Sequence, residues 1–141
     1  MMNIYNKRMW LKLRHNIIKI IALFLIYGSI YYSLEVLYRG YSHISMFILA
    51  GVLGVAIGLI NEITPKINIW LETLIGTIIA TIGEGVTGII VNNILHLNVW
   101  DYSNLPFTFF YGQCNLIFCL IWFILTYIVI KLDDYLRSLM D

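Results

Sequence analysis

Apolar residues in this chain come in long unbroken runs, not in the alternating or one-in-four patterns of a half-buried surface. Four runs, at about 17–38, 44–63, 70–95 and 107–131, reach the ~20 residues a helix needs to cross the hydrocarbon core of a bilayer. None alternates with the two-residue period of a strand, and backbone in lipid must bond to itself, so each run predicts a helix. The expected fold is all-α, a transmembrane bundle of four helices. Residues 1–16 form a basic segment ahead of the first span, and 132–141 a short tail after the last. The tail, "KLDDYLRSLMD" from Lys131, is too short to fold alone and is expected to extend the fourth helix along the membrane surface. A basic segment followed by an apolar run also opens a signal peptide. This run is too long for one and has no small-residue cleavage site, so it reads as a retained helix.

Composition agrees with the pattern. Hydrophobic residues make up 60% of the chain and charged ones 12%, with a mean hydropathy of +0.83. Soluble domains run nearer half and a quarter, so the apolar excess is expected to face lipid. A net charge of +1 supplies no basic field for nucleic acid. The two cysteines, Cys114 and Cys119, lie five apart inside an apolar run, on different faces of a helix. They read as buried filler and not as a disulfide.

Charge placement sets the expected orientation. Lys7, Arg8, Lys12, Arg14 and Lys19 precede or open the first span, Lys66 lies in the second connection, and Lys131 and Arg137 follow the fourth span. The first connection holds only Arg39, and the third has neither lysine nor arginine. Both termini and the Pro65 turn are therefore expected in the cytoplasm, in a multi-pass protein of the cell membrane. "YRGYSH" and "HLNVWDYSNLP" share the outer face.

Polar groups inside the spans carry the functional reading. Glu84 lies near the middle of the third span. A carboxylate there costs on the order of 3 kcal/mol on insertion scales. It must face the bundle or a wet cavity, or be kept protonated, either as a hydrogen-bonded packing device or as a group that binds or transfers something. Gly76, Ala80, Glu84, Gly88 and Asn92 recur every four residues, and Ala50, Gly54 and Gly58 lead to Glu62 on the second span. Two small-residue stripes predict close packing of the second and third helices. Glu35 and Arg39 are four apart and can pair on one helix face, unless Arg39 waits for an anionic headgroup or substrate. Asn92, Asn93, Gln113 and Asn115 add polarity to the outer half, while the inner half reads as almost purely apolar. The expected picture is an outward-facing polar crevice. Glu84, Glu35, Arg39, Asn92, Gln113 and Asn115 line it, and Trp100, Asp101, Tyr102 and Asn104 form its rim. Asn104 ahead of Pro106 is a candidate helix cap, Asp101 and Ser103 turn the loop, and Trp100 and Tyr102 suit the headgroup belt.

Enzyme motifs do not occur. There is no P-loop, His-Glu-x-x-His or Gly-x-Ser-x-Gly, and His43 and His96 lack the spacing of a metal or haem site, so no metal and no cofactor is expected.

The runs "LEVLYRGYSHISMFILAGVLGVAIGLINE", "GEGVTGIIVNNILHLNVWDYSNLPF", "GQCNLIF" and "LDDYLR" resemble a family of small bacterial membrane proteins, the type IV ABC-transporter family. The similarity covers about residues 30–137, and "NVWDYSNLP" is its most specific part. Glu35, Arg39, Glu84, Asn92 and Gln113, the four rim residues, and Glu62, Gly88, Pro106, Asp133 and Arg137 stand at positions that match it. Gly85 and "Gln113-Cys114-Asn115" depart from the family pattern, beside Glu84 and the crevice. The resemblance implies a multi-pass permease-like protein and no agreed catalytic residues. It also implies an ATPase partner, for which the expected cytoplasmic connection "NEITPKINIW", about ten residues, is a short docking element.

Three functional readings follow. The first is a transport component that binds a small solute or lipid headgroup in the crevice, as a homo-oligomer or in a larger membrane complex, because four helices enclose little volume. The second is a proton-coupled exporter or ion channel working as a homodimer. The third is a non-transporting regulatory or scaffolding subunit of a membrane complex.

Overall fold

The computed structural model describes residues 3–141. Four helices are long and apolar enough to span a bilayer. They are α1 (Ile4–Arg39), α2 (Ile44–Ile63), α3 (Ile69–Gly88), which runs on through a wider π-helical segment (Ile89–Ile94), and α4 (Leu116–Met140). Each boundary has a local cause. Gly40, at φ 79°, closes α1 by donating its N–H to Val36 O, a left-handed conformation that glycine adopts without penalty. Side chains cap the other three helices at their starts. His43 accepts from Ser45 N, Asn68 from Trp70 N, and Asn115 from Ile117 N.

The fourth helix starts later than its apolar run suggests. Residues 107–115, expected to open it, instead form a small hairpin: β1 (Thr108–Phe109) pairs antiparallel with β2 (Cys114–Asn115), Thr108 opposite Asn115. Phe110, Tyr111 and Gly112 take positive φ values at the turn, which no α-helix permits. The cap is therefore Asn115, and Asn104 lies exposed in the preceding loop. At the other end, α4 carries on through the expected tail to Met140.

The two small-residue stripes do not face each other. On α2, Gly51 meets the ring of Phe24 and Gly54 that of Tyr27, both on α1, while Gly58 sits against the Asp133 carboxylate of α4. On α3, Gly76 meets Thr126 of α4 and Gly88 meets Gln113. A β-carbon at any of these positions would collide with its neighbour, so the glycines set how closely α2 approaches α1 and α3 approaches α4. The second and third helices touch through Leu53 against Gly83 instead. Met46, Leu49, Leu53 and Ala80 make the core there, joined by Val91, Val99 and Trp100.

Outward faces are apolar. Ile78, Ile82 and Val86 on α3, and Leu120, Ile124 and Ile128 on α4, are each about half exposed or more. These are the surfaces lipid would cover. Residues 3–18, including the first four turns of α1, are exposed on every side and stand free of the bundle. Near that end, Lys19 Nζ donates to Asp141 Oδ1, tying Asp141 to α1.

Candidate functional site

The long loop between α3 and α4 is built into the bundle from the side. Asn92, carried inward on the π-helical turn, accepts at Oδ1 from Val99 N (2.6 Å) and Trp100 N (3.3 Å). Its Nδ2 donates to Gln113 Oε1 at 2.6 Å. Gln113 Nε2 donates to Asn93 Oδ1 and Tyr111 O, and Trp100 Nε1 donates to Gln113 O at 3.1 Å. Asn115 Nδ2 reaches Pro106 O at 2.7 Å. Among the described residues, the five non-glycine residues with positive φ all lie from His96 to Tyr111. Such strain persists only where surrounding bonds hold it, and these amides do that. The polar window from Asn92 to Asn115 thus serves first to seat the loop.

What the loop covers is a cavity of about 450 Å³ between α1, α3 and α4. Of the residues picked out from sequence, Glu84, Glu35, Arg39, Trp100 and Tyr102 line it together. Asn92, Gln113 and Asn115 lie behind its wall in the loop's own bonding network. Asp101 and Asn104 sit on the loop's exposed side. Asp101 accepts from the side chain and backbone N–H of Ser103, which hold its carboxyl below the usual aspartate range.

Glu84 is 3% exposed. Tyr102 Oη donates to its Oε1 at 3.3 Å and Trp122 Nε1 to its Oε2 at 3.1 Å. Burial, then the charge of Glu84, hold the Tyr102 phenol above the ordinary tyrosine range, so it remains a donor at neutral pH. Among the described residues no cation pairs with Glu84. The three ion pairs are Lys19–Asp141, Arg39–Glu35 and Arg137–Asp133. At the cavity's mouth, Arg39 Nη2 lies 2.9 Å from Glu35 Oε1 and Nη1 donates to Val99 O at 2.9 Å. Ser42 Oγ donates to Glu35 Oε2 at 2.6 Å, and the guanidinium lies over the Tyr41 ring. Arg39 therefore pins the end of α1 to the loop.

Two features of the wall went unseen in the sequence. Tyr31 stacks on Trp122 at 5.7 Å, and Tyr102 on Phe118 at 4.6 Å. Below the first pair a second space of about 120 Å³ follows the cleft between α1 and α4, sharing Tyr31, Leu34, Trp122 and Leu125 with the cavity above. An indole in an apolar run carries a donor that needs an acceptor. That was the available sign that Trp122 faces a polar group.

The half of the bundle nearer the termini is not purely apolar, contrary to the sequence expectation. Asp133 is fully buried, accepts from Tyr27 Oη at 2.7 Å and pairs with Arg137 Nε at 2.6 Å. Glu72, 3% exposed, sits in the first turn of α3, where the helix dipole favours an acid. Thr73 and Thr126 are buried beside it in sequence and on α4. Asp133 and Arg137 follow the apolar run and were expected on the membrane surface; their four-residue spacing was the sign of a pair.

A family model described as "Putative ABC-transporter type IV" matches residues 22–139. The chain belongs to that family, and with four apolar helices it is a membrane protein of a transport-related class. No curated protein and no solved structure matches it significantly.

Proposed function

We propose that this chain is a membrane transport component that binds a small solute or a lipid headgroup in the cavity under the α3–α4 loop, opening toward the cell exterior. Glu84 is the deep acid of that site, and the Glu35–Arg39 pair stands at its mouth. The observation that carries the reading is a buried carboxylate held by two neutral donors on the wall of a 450 Å³ space. That volume is in the range of small-molecule sites. Packing alone would have been served by filling the space, and intramembrane acids facing cavities mark pathways and binding sites. The test is binding and transport by the full chain in liposomes with Glu84→Gln and with Arg39→Ala. Loss of solute binding in a folded Glu84→Gln protein supports the reading. Wild-type binding and transport of every solute in both variants would refute it.

A second reading, a subunit serving a larger membrane complex, has one observation in its favour. The free start of α1 is exposed on every side and carries Lys7, Arg8, Lys12, Arg14 and His15, with no acid before Glu35. A strongly basic helix clear of the bundle is suited to dock on an acidic surface. Affinity purification of the full chain with and without residues 3–16 tests it. A stoichiometric partner lost on truncation supports it, and recovery of the chain alone in both forms removes it.

A further inference from the structure

We infer that the cavity is shaped for an ammonium group carried on an apolar chain, with the cation between Glu84 and the aromatic walls and the chain lying in the α1–α4 cleft. This rests on the binding role proposed above for the same cavity and names the class of ligand.

Charge makes the first case. Glu35 and Arg39 neutralise each other at 2.9 Å, and Arg39 spends its other terminal nitrogen on Val99 O. Glu84 has only the neutral Tyr102 hydroxyl and Trp122 indole N–H. The lining therefore carries one uncompensated carboxylate. A buried carboxylate without a cation is costly, and a ligand cation removes that cost where a ligand anion would add to it.

The walls make the second case. The two donors to Glu84 belong to rings that are themselves stacked, Trp122 on Tyr31 and Tyr102 on Phe118. Two aromatic pairs therefore stand on either side of one carboxylate. Besides these rings the lining is mostly apolar, Leu34, Met46, Ile121 and Leu125 among it, and a desolvated, aromatic-rich site beside an acid suits a substituted ammonium group. Hydrogen-bonding capacity is sparse by comparison, which suits an ammonium better than a sugar or a phosphate.

Shape makes the third case. The smaller space beneath Tyr31 and Trp122 is bounded by Ile30, Leu34, Leu53, Leu125 and Ile128 among others. Ile30, Leu34 and Ile128 are also exposed on the lipid-facing surface, so the cleft communicates with the bilayer sideways. A hydrated ion has no use for such an annex, and an alkyl chain does. Lipids with amine headgroups and free cationic amphiphiles share this chemistry.

The experiment uses the full chain purified in maltoside micelles and native mass spectrometry with four probes: dodecyltrimethylammonium, dodecylphosphocholine, dodecyl sulfate and tetramethylammonium. The expected result is a one-to-one adduct with the two ammonium amphiphiles, weakened roughly tenfold or more by Glu84→Gln and by Trp122→Leu. Leu125→Trp, which fills the junction of the two spaces, should weaken both amphiphiles and leave tetramethylammonium unaffected. Tighter binding of the phosphocholine assigns the site to a lipid headgroup, and tighter binding of the simple ammonium to a free amphiphile. Glu84-dependent binding of dodecyl sulfate equal to that of the cations would overturn the ammonium assignment while leaving the cavity a binding site. Failure of all four probes to bind in a Glu84-dependent way, with every variant monodisperse and helical by circular dichroism, would remove the ammonium assignment, and the solute tests above then decide the binding role alone.

Discussion

Replacing Asp133 with alanine should be among the most damaging single changes outside the cavity, and the size of the effect can be worked from its surroundings. The carboxylate is fully buried. It accepts from Tyr27 Oη at 2.7 Å and pairs with Arg137 Nε at 2.6 Å, and Arg137 is itself 7% exposed with a buried Nη2 that has no partner. Removing the acid leaves a buried guanidinium with nothing to neutralise it, which costs about 3–5 kcal/mol. The orphaned Tyr27 hydroxyl adds about 1 kcal/mol. Arg137→Ala should cost a similar amount by stranding the carboxylate. Asp133→Asn and Arg137→Gln, made singly and together, remove the charges and keep hydrogen-bonding groups in place, and the double variant should lose clearly less than these two single neutralisations added together. A coupling of about 2–3 kcal/mol is expected. The assay is reversible unfolding of the full chain in mixed micelles of mild and denaturing detergent, followed by far-ultraviolet circular dichroism. Tyr27→Phe, which deletes one neutral donor, should cost about 1 kcal/mol on the same scale. If both single neutralisations cost under about 1 kcal/mol and add in the double variant, the buried pair does not hold these helices together.

Three other outcomes follow from the packing. Gly58→Ala places a methyl group into the Asp133 carboxylate and should destabilise by about 1–3 kcal/mol in the same unfolding assay. It should have much less effect once Asp133 is already alanine. Gln113→Ala removes the acceptor of Asn92 Nδ2 and the donor to Asn93; the amides from Leu97 to Gly112 should exchange with deuterium faster while those of α1 do not change. Ser103→Ala takes away one of the two bonds that hold the Asp101 carboxyl low, so its titration, read by carboxyl carbon NMR, should move up toward the ordinary value of about 3.9. Because the folded value is depressed, the loop's gain from this ionisation is present above about pH 3.9. It is lost as pH falls through the lower folded value, and the variant should lose it at a higher pH than the parent.

Spans were easy to read because lipid allows so few alternatives. A run of about 20 apolar residues with no strand alternation has to be helical there, and each of the four runs carries a helix long enough to cross. The start of the fourth was misjudged for a specific reason. "Phe107-Thr-Phe-Phe-Tyr-Gly" is as apolar as a membrane helix, but Gly112 at φ 82° and the amides of Gln113 and Asn115 fold it into a hairpin. Hydropathy measures the side chains and is blind to that turn. Glu84 was legible as a lone acid in an apolar run. Its partners were not, since a tryptophan nearly forty residues away reads as filler until the fold brings it within 3.1 Å. The glycine stripes were legible as close-packing surfaces, but stripe spacing says nothing about which helix arrives. Here Tyr27, Asp133 and Thr126 did.

The length of the first helix has a mechanical consequence. At 36 residues it is about 54 Å long, against about 30 Å of hydrocarbon, so about 24 Å of helix is left over beyond what a crossing needs. Its far end is clamped by Arg39 to the loop that roofs the cavity. Between that clamp and the projecting turns the helix is seated on α2, with Phe24 over Gly51 and Tyr27 over Gly54, and is tied at Lys19 to Asp141, so its outer and inner ends are held by separate contacts along one continuous helix.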